Sequence, residues 1–250
     1  MYCIQEQKLQ KQPIISVVVP AYNEARLITA CLKALSEQNI GAPYEIIVVD
    51  NGSQDATIAL AKKFNVTILK EQHRGVGYAR QTGFMHTRGS IIASTDADSI
   101  VPKHWLQTIH NIMKTNKKYG AVWGPYTFSD RGKLWNWLAA KIFPKMMWAD
   151  KKLGKGTNHL PGTNFAIRRD IFLQAGGFNV NFKFGEDIEL SQRVKKIGKI
   201  FFDPKLMIAT HSRRYKPTFD FVKYLLNFVK TARTGKPFRN ELPRATNKKT

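Results

Sequence analysis

The sequence predicts an α/β fold: a single domain built on a mostly parallel central sheet. Three observations lead there. Short apolar runs, Ile14 to Pro20, Glu45 to Asp50, Val66 to Leu69 and Ile91 to Ala93, alternate with stretches of helical period. Two of these runs end in carboxylates, Asp50 and the pair Asp96/Asp98. With 250 residues and 43% hydrophobic content, the chain can bury one good-sized core. No internal repeat of roughly twenty to fifty residues stands out.

Taken in order, Ile14 to Pro20 is a β-branched run stopped by proline, which reads as a buried strand. Asn23-Glu24 then caps a helix whose apolar positions are Leu27, Ile28, Cys31, Leu32 and Leu35. After the Gly41-Ala42-Pro43 turn, Glu45 to Asp50 forms a second strand, and Asn51-Gly52-Ser53 turns the chain into a helix from Asp55 to Phe64. Val66 to Leu69 is a third strand and Gly77 to Thr87 a third helix. A fourth strand begins after Arg88-Gly89 and runs into Ser94-Thr95-Asp96-Ala97-Asp98-Ser99. Pro102 to Asn116 is a fourth helix, and Ala121 to Tyr126 resumes strand character.

The acidic triplet is the centre of this pattern. Ligands of open α/β sheets bind outside the carboxyl ends of the strands. Two carboxylates there, separated by a small alanine, suit a hard cation such as Mg²⁺ or Mn²⁺ that carries a phosphate. Asp96 and Asp98 also suit a turn, with Asp98 or Ser99 capping the helix that Pro102 helps to start. Asp50 alone is likewise an ordinary turn residue. If the strands are parallel, however, Tyr22, Asp50 and Asp96/Asp98 emerge on one sheet edge, and that convergence favours a site.

The second half is less regular. Leu134 to Leu138 and Ile142 to Trp148 are rich in aromatic residues and methionine, with lysines interleaved. They suit core, and also a mobile acceptor loop or membrane-facing wedge. Lys151 to Asn158 reads as a flexible loop. Gly162 to Arg169 reads as a strand, followed by a short helix from Asp170 and a Gly176-Gly177 turn. Gly185-Glu186-Asp187 opens an amphipathic helix carrying Ile188, Leu190, Val194 and Ile197, with Asp187 in the usual place of an N-cap and Gly198 closing it. Ile200 to Phe202 and Leu206 to Thr210 are two further strands, the second leading into His211. Thr218 to Arg233 reads as a basic amphipathic helix, and a basic tail follows it.

The charge is +22, with 40 Lys and Arg against 18 Asp and Glu, which implies polyanionic company. From Arg193 onward there are sixteen basic residues and three acidic ones. The two cysteines, Cys3 and Cys31, have neither metal nor redox spacing and point to a reducing compartment. No stretch approaches the roughly 18 apolar residues of a membrane span, and the first residues lack a signal-peptide core. The expected location is therefore cytoplasmic, with the basic C-terminus offering a peripheral contact to the anionic inner face of the cell membrane.

Together these motifs resemble the family-2 glycosyltransferases of GT-A (Rossmann-like) fold. Pro20-Ala21-Tyr22-Asn23-Glu24 is similar to the family's opening motif, and Val48 to Asp55 to its second. The acidic triplet is similar to its Asp-x-Asp. Gly162 to Asp170, Gly176-Gly177-Phe178 and Gly185-Glu186-Asp187 are similar to its acceptor half. The resemblance implies a tail over residues 1–13 and a GT-A domain over 14–214. That domain divides into a nucleotide-sugar half (14–127) and an acceptor half (128–214), with a basic helix and tail over 215–250. It implies metal-dependent transfer of a single sugar, from a UDP-sugar donor to a saccharide or lipid-linked acceptor, in cell-envelope polysaccharide or glycolipid synthesis.

The implied roles follow the motifs. Ala21, Tyr22 and Glu24 line the nucleoside pocket, and Asp50 bonds the base. Gly75, Gly77 and Arg80 approach the nucleotide. Asp96 lies by the ribose and sugar, and Asp98 holds the metal with His211. Asp187 is the general base, with Glu186 near the acceptor. The chain departs from the processive members, whose Gln-x-x-Arg-Trp is Gln192-Arg193-Val194 at its end here, without the tryptophan. That departure argues for single-sugar transfer. One base carboxylate opposite the leaving group implies inversion, although His211 has counterparts in retaining relatives. Two competitors stand beside this reading. A nucleotidyltransferase would carry a Gly-rich basic loop where Tyr22-Asn23-Glu24 stands. A non-catalytic basic module for nucleic acid or anionic membrane is supported by the charge, but no zinc spacing or aromatic RNA-binding consensus accompanies it.

Overall fold

The computed structural model describes residues 12–132, 159–182 and 185–214. The main sheet has seven strands: β1 (Ile15–Ala21), β2 (Tyr44–Asp50), β3 (Thr67–Lys70), β4 (Ile91–Thr95), β6 (Tyr119–Trp123), β8 (Asn164–Arg168) and β9 (Lys199–Phe202), in the order β3-β2-β1-β4-β8-β6-β9. A small second sheet joins β5 (Ser99–Ile100), β10 (Ile208–Thr210) and β7 (Tyr126–Phe128). Between the strands lie α1 (Ile28–Ser36), α2 (Thr57–Ala61), α3 (Val76–Met85), α4 (Trp105–Thr115), α5 (Arg169–Gln174) and α6 (Glu186–Ile197).

β1 is central because every one of its residues is buried. Its side chains alternate between two apolar layers, as the two-residue period of a strand requires. Val17 and Val19 join Ile28, Leu32 and Leu35 of α1 with Trp105 and Ile109 of α4. Val18 faces the opposite layer, with Phe84 of α3, Phe172 of α5 and Leu190 of α6. A sheet covered on both faces explains why its strands read as continuous apolar runs.

The register decides where the chemistry lies. β1 pairs in parallel with both β2 and β4, with Ala21 opposite Asp50 and Val18 opposite Ser94. The segments after these three strands therefore leave the sheet at one edge. β8 is antiparallel to β4 and β6, the one reversal in the main sheet, so it starts at that same edge, with Asn164 opposite Thr95.

Several expected details are corrected. Asn23 and Glu24 do not cap α1 with their side chains. Asn23 adopts φ 54° and accepts the Gln54 N–H on Oδ1 at 2.8 Å, while Glu24 pairs with Arg213. The helix expected over Asp55 to Phe64 shrinks to α2, where Asp55 Oδ1 accepts the Thr57 N–H at 2.9 Å. Ser99 enters β5 and no side chain caps α4. The strand expected from Ala121 to Tyr126 is two strands in different sheets, β6 and β7. Asp187 is not the cap of α6 either, since Gly185 holds that position at φ 79°, a conformation suited to glycine. The expectations for Leu134 to Asn158 and for 215–250 lie outside the described residues.

Candidate active site

At the shared edge a cavity of about 320 Å³ is lined by Tyr22, Glu24, Asn51, Arg74, Gly75 and Asp96, among others. Tyr22 is 44% exposed at its mouth, with the Arg74 guanidinium 4.2 Å from the ring centroid. Ala21 also lines the cavity. Asp50 does not: it is buried, and its Oδ1 accepts the Ser53 N–H at 2.9 Å. Its neighbour Asn51 takes the place in the wall.

Behind Asp96 lies a buried ion network. Arg80, 5% exposed, donates from Nη2 to Asp96 Oδ1 at 2.8 Å and from Nη1 to Glu186 Oε1, joining α3, the β4 edge and α6. Burial works against the Arg80 charge, but Asp96, then Glu186 and Asp187, hold its proton above the ordinary value. Glu186 is 2% exposed, and burial pushes its carboxyl up to about 7. The Arg80 charge pulls it down and the Asp187 charge pushes it up again. Arg80 is therefore a strut behind the cavity and does not line it. Gly77, buried on the same helix, packs against Glu186 and not the cavity. The strut has room only because residue 162 is glycine: a Cβ there would lie 2.3 Å from the guanidinium.

Asp187 sits beside this network. Its Oδ2 accepts the Gly162 N–H and its Oδ1 the Ile188 N–H, each at 2.8 Å, which fixes the carboxylate. The second carboxylate of the triplet, Asp98, is buried and held from the small sheet. Thr210 donates to Oδ1 at 3.2 Å, and Arg213 Nη2 lies 3.1 Å from Oδ2 while also pairing with Glu24. Cys31 lies beneath. Burial, reinforced by the Asp98, Asp96 and Glu24 charges, pushes its thiol far up and leaves it an inert packing residue.

His211 follows Thr210, the last residue of β10, which pairs with Ser99, the residue after Asp98. Its Nδ1 accepts the Arg213 N–H at 3.2 Å and lies 3.5 Å from Asp130. Among the described residues no three His, Cys, Asp or Glu side chains gather closely enough to hold a metal unaided. The sequence reading gave no role to Arg213, Arg74, Asn51 or the clearance at Gly162. The partners of Arg213 lie 115 and 189 residues away, and no local spacing signals such contacts.

The sequence and the fold are matched by known proteins. The model of the family described as Glycosyl transferase family 2 matches residues 16–175. Glycosyltransferase AglE of Haloferax volcanii is 28% identical over 81% of this chain and 68% of its own length. The probable glycosyltransferase YdaM of Bacillus subtilis is 30% identical over 77% of this chain, which spans about half, 49%, of that relative. Among solved structures, mannosyltransferase PcManGT of Pyrobaculum calidifontis shares the fold with a TM-score of 0.68 and 23% identity, over 91% of this chain and 66% of that one. Glucosyl-3-phosphoglycerate synthase of Mycobacterium tuberculosis shares it with a TM-score of 0.65 and 22% identity, over 91% and 80%.

Proposed function

Since the chain belongs to glycosyl transferase family 2 and has its GT-A fold, we propose that it transfers a single sugar from a UDP-sugar to an acceptor hydroxyl with inversion. The observation that carries this reading is the meeting of Glu24, Asp96, Asp98 and Asp187, from three separate segments, in the wall of one cavity and beside it, with the arginine struts Arg80 and Arg213. The PcManGT structure contains GDP-Man and Mn²⁺, and that of glucosyl-3-phosphoglycerate synthase contains Mn²⁺, UDP and phosphoglyceric acid. Both are consistent with an activated sugar and a divalent ion here.

The site suits such an ion. Mg²⁺ or Mn²⁺ takes one or two protein carboxylates and completes its shell with phosphate oxygens and water. A cationic group, Arg213, already lies between the Glu24 and Asp98 carboxylates. Asp98, with His211, would hold the ion, which when bound neutralises charge on the departing diphosphate. In this proposal Asp187 takes the proton of the acceptor hydroxyl, its carboxylate aimed by the two backbone N–H groups. One such base opposite the leaving group gives direct displacement and no covalent sugar intermediate. Glu186 acts through Arg80, keeping Asp96 and the start of α6 in fixed relation. The acceptor is a saccharide or a lipid-linked one. No helix among the described residues is long and apolar enough to cross a membrane.

The test is a panel of nucleotide sugars with Mg²⁺, Mn²⁺ or chelator, scored by release of free nucleoside diphosphate in the presence of acceptor extracts. Release from a UDP-sugar that chelator abolishes is the expected result. Turnover undiminished by chelator would remove the metal from the proposal, and release from no donor would remove the transfer itself.

A further inference from the structure

Arg213 is bound to the same carboxylate that the transfer reading gives to the divalent ion. Its Nη2 lies 3.1 Å from Asp98 Oδ2 and also pairs with Glu24, while Thr210 donates to the other oxygen of Asp98 at 3.2 Å. Each oxygen of Asp98 therefore already accepts from a protein donor. Both carboxylates are buried and the Arg213 side chain is 17% exposed, so the three charges interact with little screening by water. The backbone that carries the arginine is fastened in advance. Asp130 accepts the Ser212 N–H at 2.7 Å and the Ser212 hydroxyl at 2.8 Å, and Arg131 Nε donates to that hydroxyl oxygen at 2.6 Å. The guanidinium itself is only partly satisfied. Its Nε is buried and meets no acceptor among the described residues, a deficit that calls for an explanation.

We propose that Arg213 is an internal competitor of the divalent ion. It holds Glu24 and Asp98 as their counter-cation, so that Mg²⁺ or Mn²⁺ binds weakly alone and tightly only together with the nucleoside diphosphate. The inference rests on the nucleotide-sugar reading above and adds an order of binding to it. The formal charges set the direction: the two carboxylates attract a dication, and the arginine between them cancels half of that attraction. An ion sharing Asp98 Oδ2 with Arg213 would bring two positive charges within a few ångströms of each other, so the guanidinium has to withdraw. Its withdrawal forfeits a charge-assisted hydrogen bond, worth roughly tenfold in affinity or more, and that cost falls on the binding of the ion. The unsatisfied Nε lessens what Arg213 loses by leaving, which keeps the exchange reversible. A diphosphate in the cavity that Glu24 lines offsets the cost, because its oxygens join the shell of the ion. By linkage, ion and diphosphate then raise each other's affinity by one common factor, and Arg213 enlarges that factor by weakening the ion alone.

The measurement is titration of Mn²⁺ alone into the full chain, read from the electron paramagnetic resonance signal of the free ion, for the wild type, R213M, R213Q and R213K. R213M and R213Q should bind Mn²⁺ at least about tenfold more tightly than the wild type, and adding D98N to R213Q should abolish that gain. R213K keeps the charge and loses the planar fork, so it should stay nearer the wild type than R213Q does. In the wild type, saturating UDP or GDP should tighten Mn²⁺ at least about tenfold, after allowing for the ion held by free nucleotide, and R213Q should shrink that factor. Glutamine keeps a donor for one carboxylate, so R213Q carries the test should R213M fail to fold, and the wild-type coupling needs no variant. Mn²⁺ affinity unchanged or weakened in both R213M and R213Q would overturn the proposal. So would a gain that survives D98N, or a wild type that holds Mn²⁺ as tightly without nucleotide as with it. Failure of the wild type to bind UDP or GDP would sink the nucleotide-sugar reading, while the comparison with Mn²⁺ alone would still decide whether Arg213 competes with the ion.

Discussion

Replacing Arg80 by methionine removes the one cation shared by Asp96 and Glu186 while filling most of the space. Glu186 is 2% exposed and pairs through this guanidinium, so its carboxylate would be left without a counter-charge. Breaking a buried pair in this way costs about 3–5 kcal/mol, or roughly 10 °C in the melting temperature of a chain this size. The cost depends on pH, and its sign follows from Glu186. The folded-state pKa of about 7 lies above the ordinary 4.5. Its contribution is therefore fully present below about 4.5 and is lost as the pH rises through about 7, amounting to about 3 kcal/mol in all. Below about 7 the Glu186 carboxyl is protonated in the wild type as well, so R80M loses the Asp96 ion pair, a hydrogen bond to a neutral Glu186 and packing. Above it, the wild type releases the proton against Arg80, while R80M must keep it or bury a bare charge. The stability gap should then widen by about 1.4 kcal/mol per pH unit. Urea unfolding of both proteins at pH 6 and pH 8 reads this directly. A gap equal at the two pH values, or one that widens just as much in an E186Q background, would refute the role assigned to the strut.

The other predictions concern its neighbours. G162A puts a Cβ 2.3 Å from the same guanidinium and should reproduce the R80M loss of stability in urea unfolding, with little further loss in the double variant. Additive losses in a thermodynamic cycle would show that the two residues act separately. D187N should abolish transfer, by at least about a hundredfold, while calorimetry shows donor binding within about threefold of wild type; normal turnover would remove Asp187 from the chemistry. D98A should weaken Mn²⁺-dependent UDP binding at least about tenfold and leave metal-free binding nearly unchanged. An equal loss with and without Mn²⁺ would place Asp98 outside any metal site.

Much of the architecture was legible because it follows from local rules. The β-branched runs at Ile15–Ala21 and Tyr44–Asp50 are buried on both faces, so they could be read as central strands without knowing their partners. The parallel pairing of β1 with both β2 and β4 was implied by the intervening helices and brings the two acidic segments to one edge. Helix caps were read less well. Asn23, Asp98 and Asp187 all have the chemistry of caps, yet their side chains are engaged by Gln54, by Thr210 and Arg213, and by Gly162. A residue suited to a local bond was in each case taken by a distant one, because the convergence at the sheet edge offers better-placed partners.

By itself, the sequence determined the strands and helices of the parallel half in outline, the position of the acidic triplet at a strand end, and the family to which the motifs belong. It could do so because burial period and turn chemistry act over a few residues. Only the tertiary structure decided that Arg80 stands behind the cavity with Glu186, that Arg213 bridges Glu24 and Asp98, and that Asn51 rather than Asp50 lines the wall. Those assignments depend on the reversal of β8 and on the small sheet that returns β10 to β5. Electrostatic partners over a hundred residues apart are chosen by where the folded backbone puts them, and no spacing along the chain carries that information.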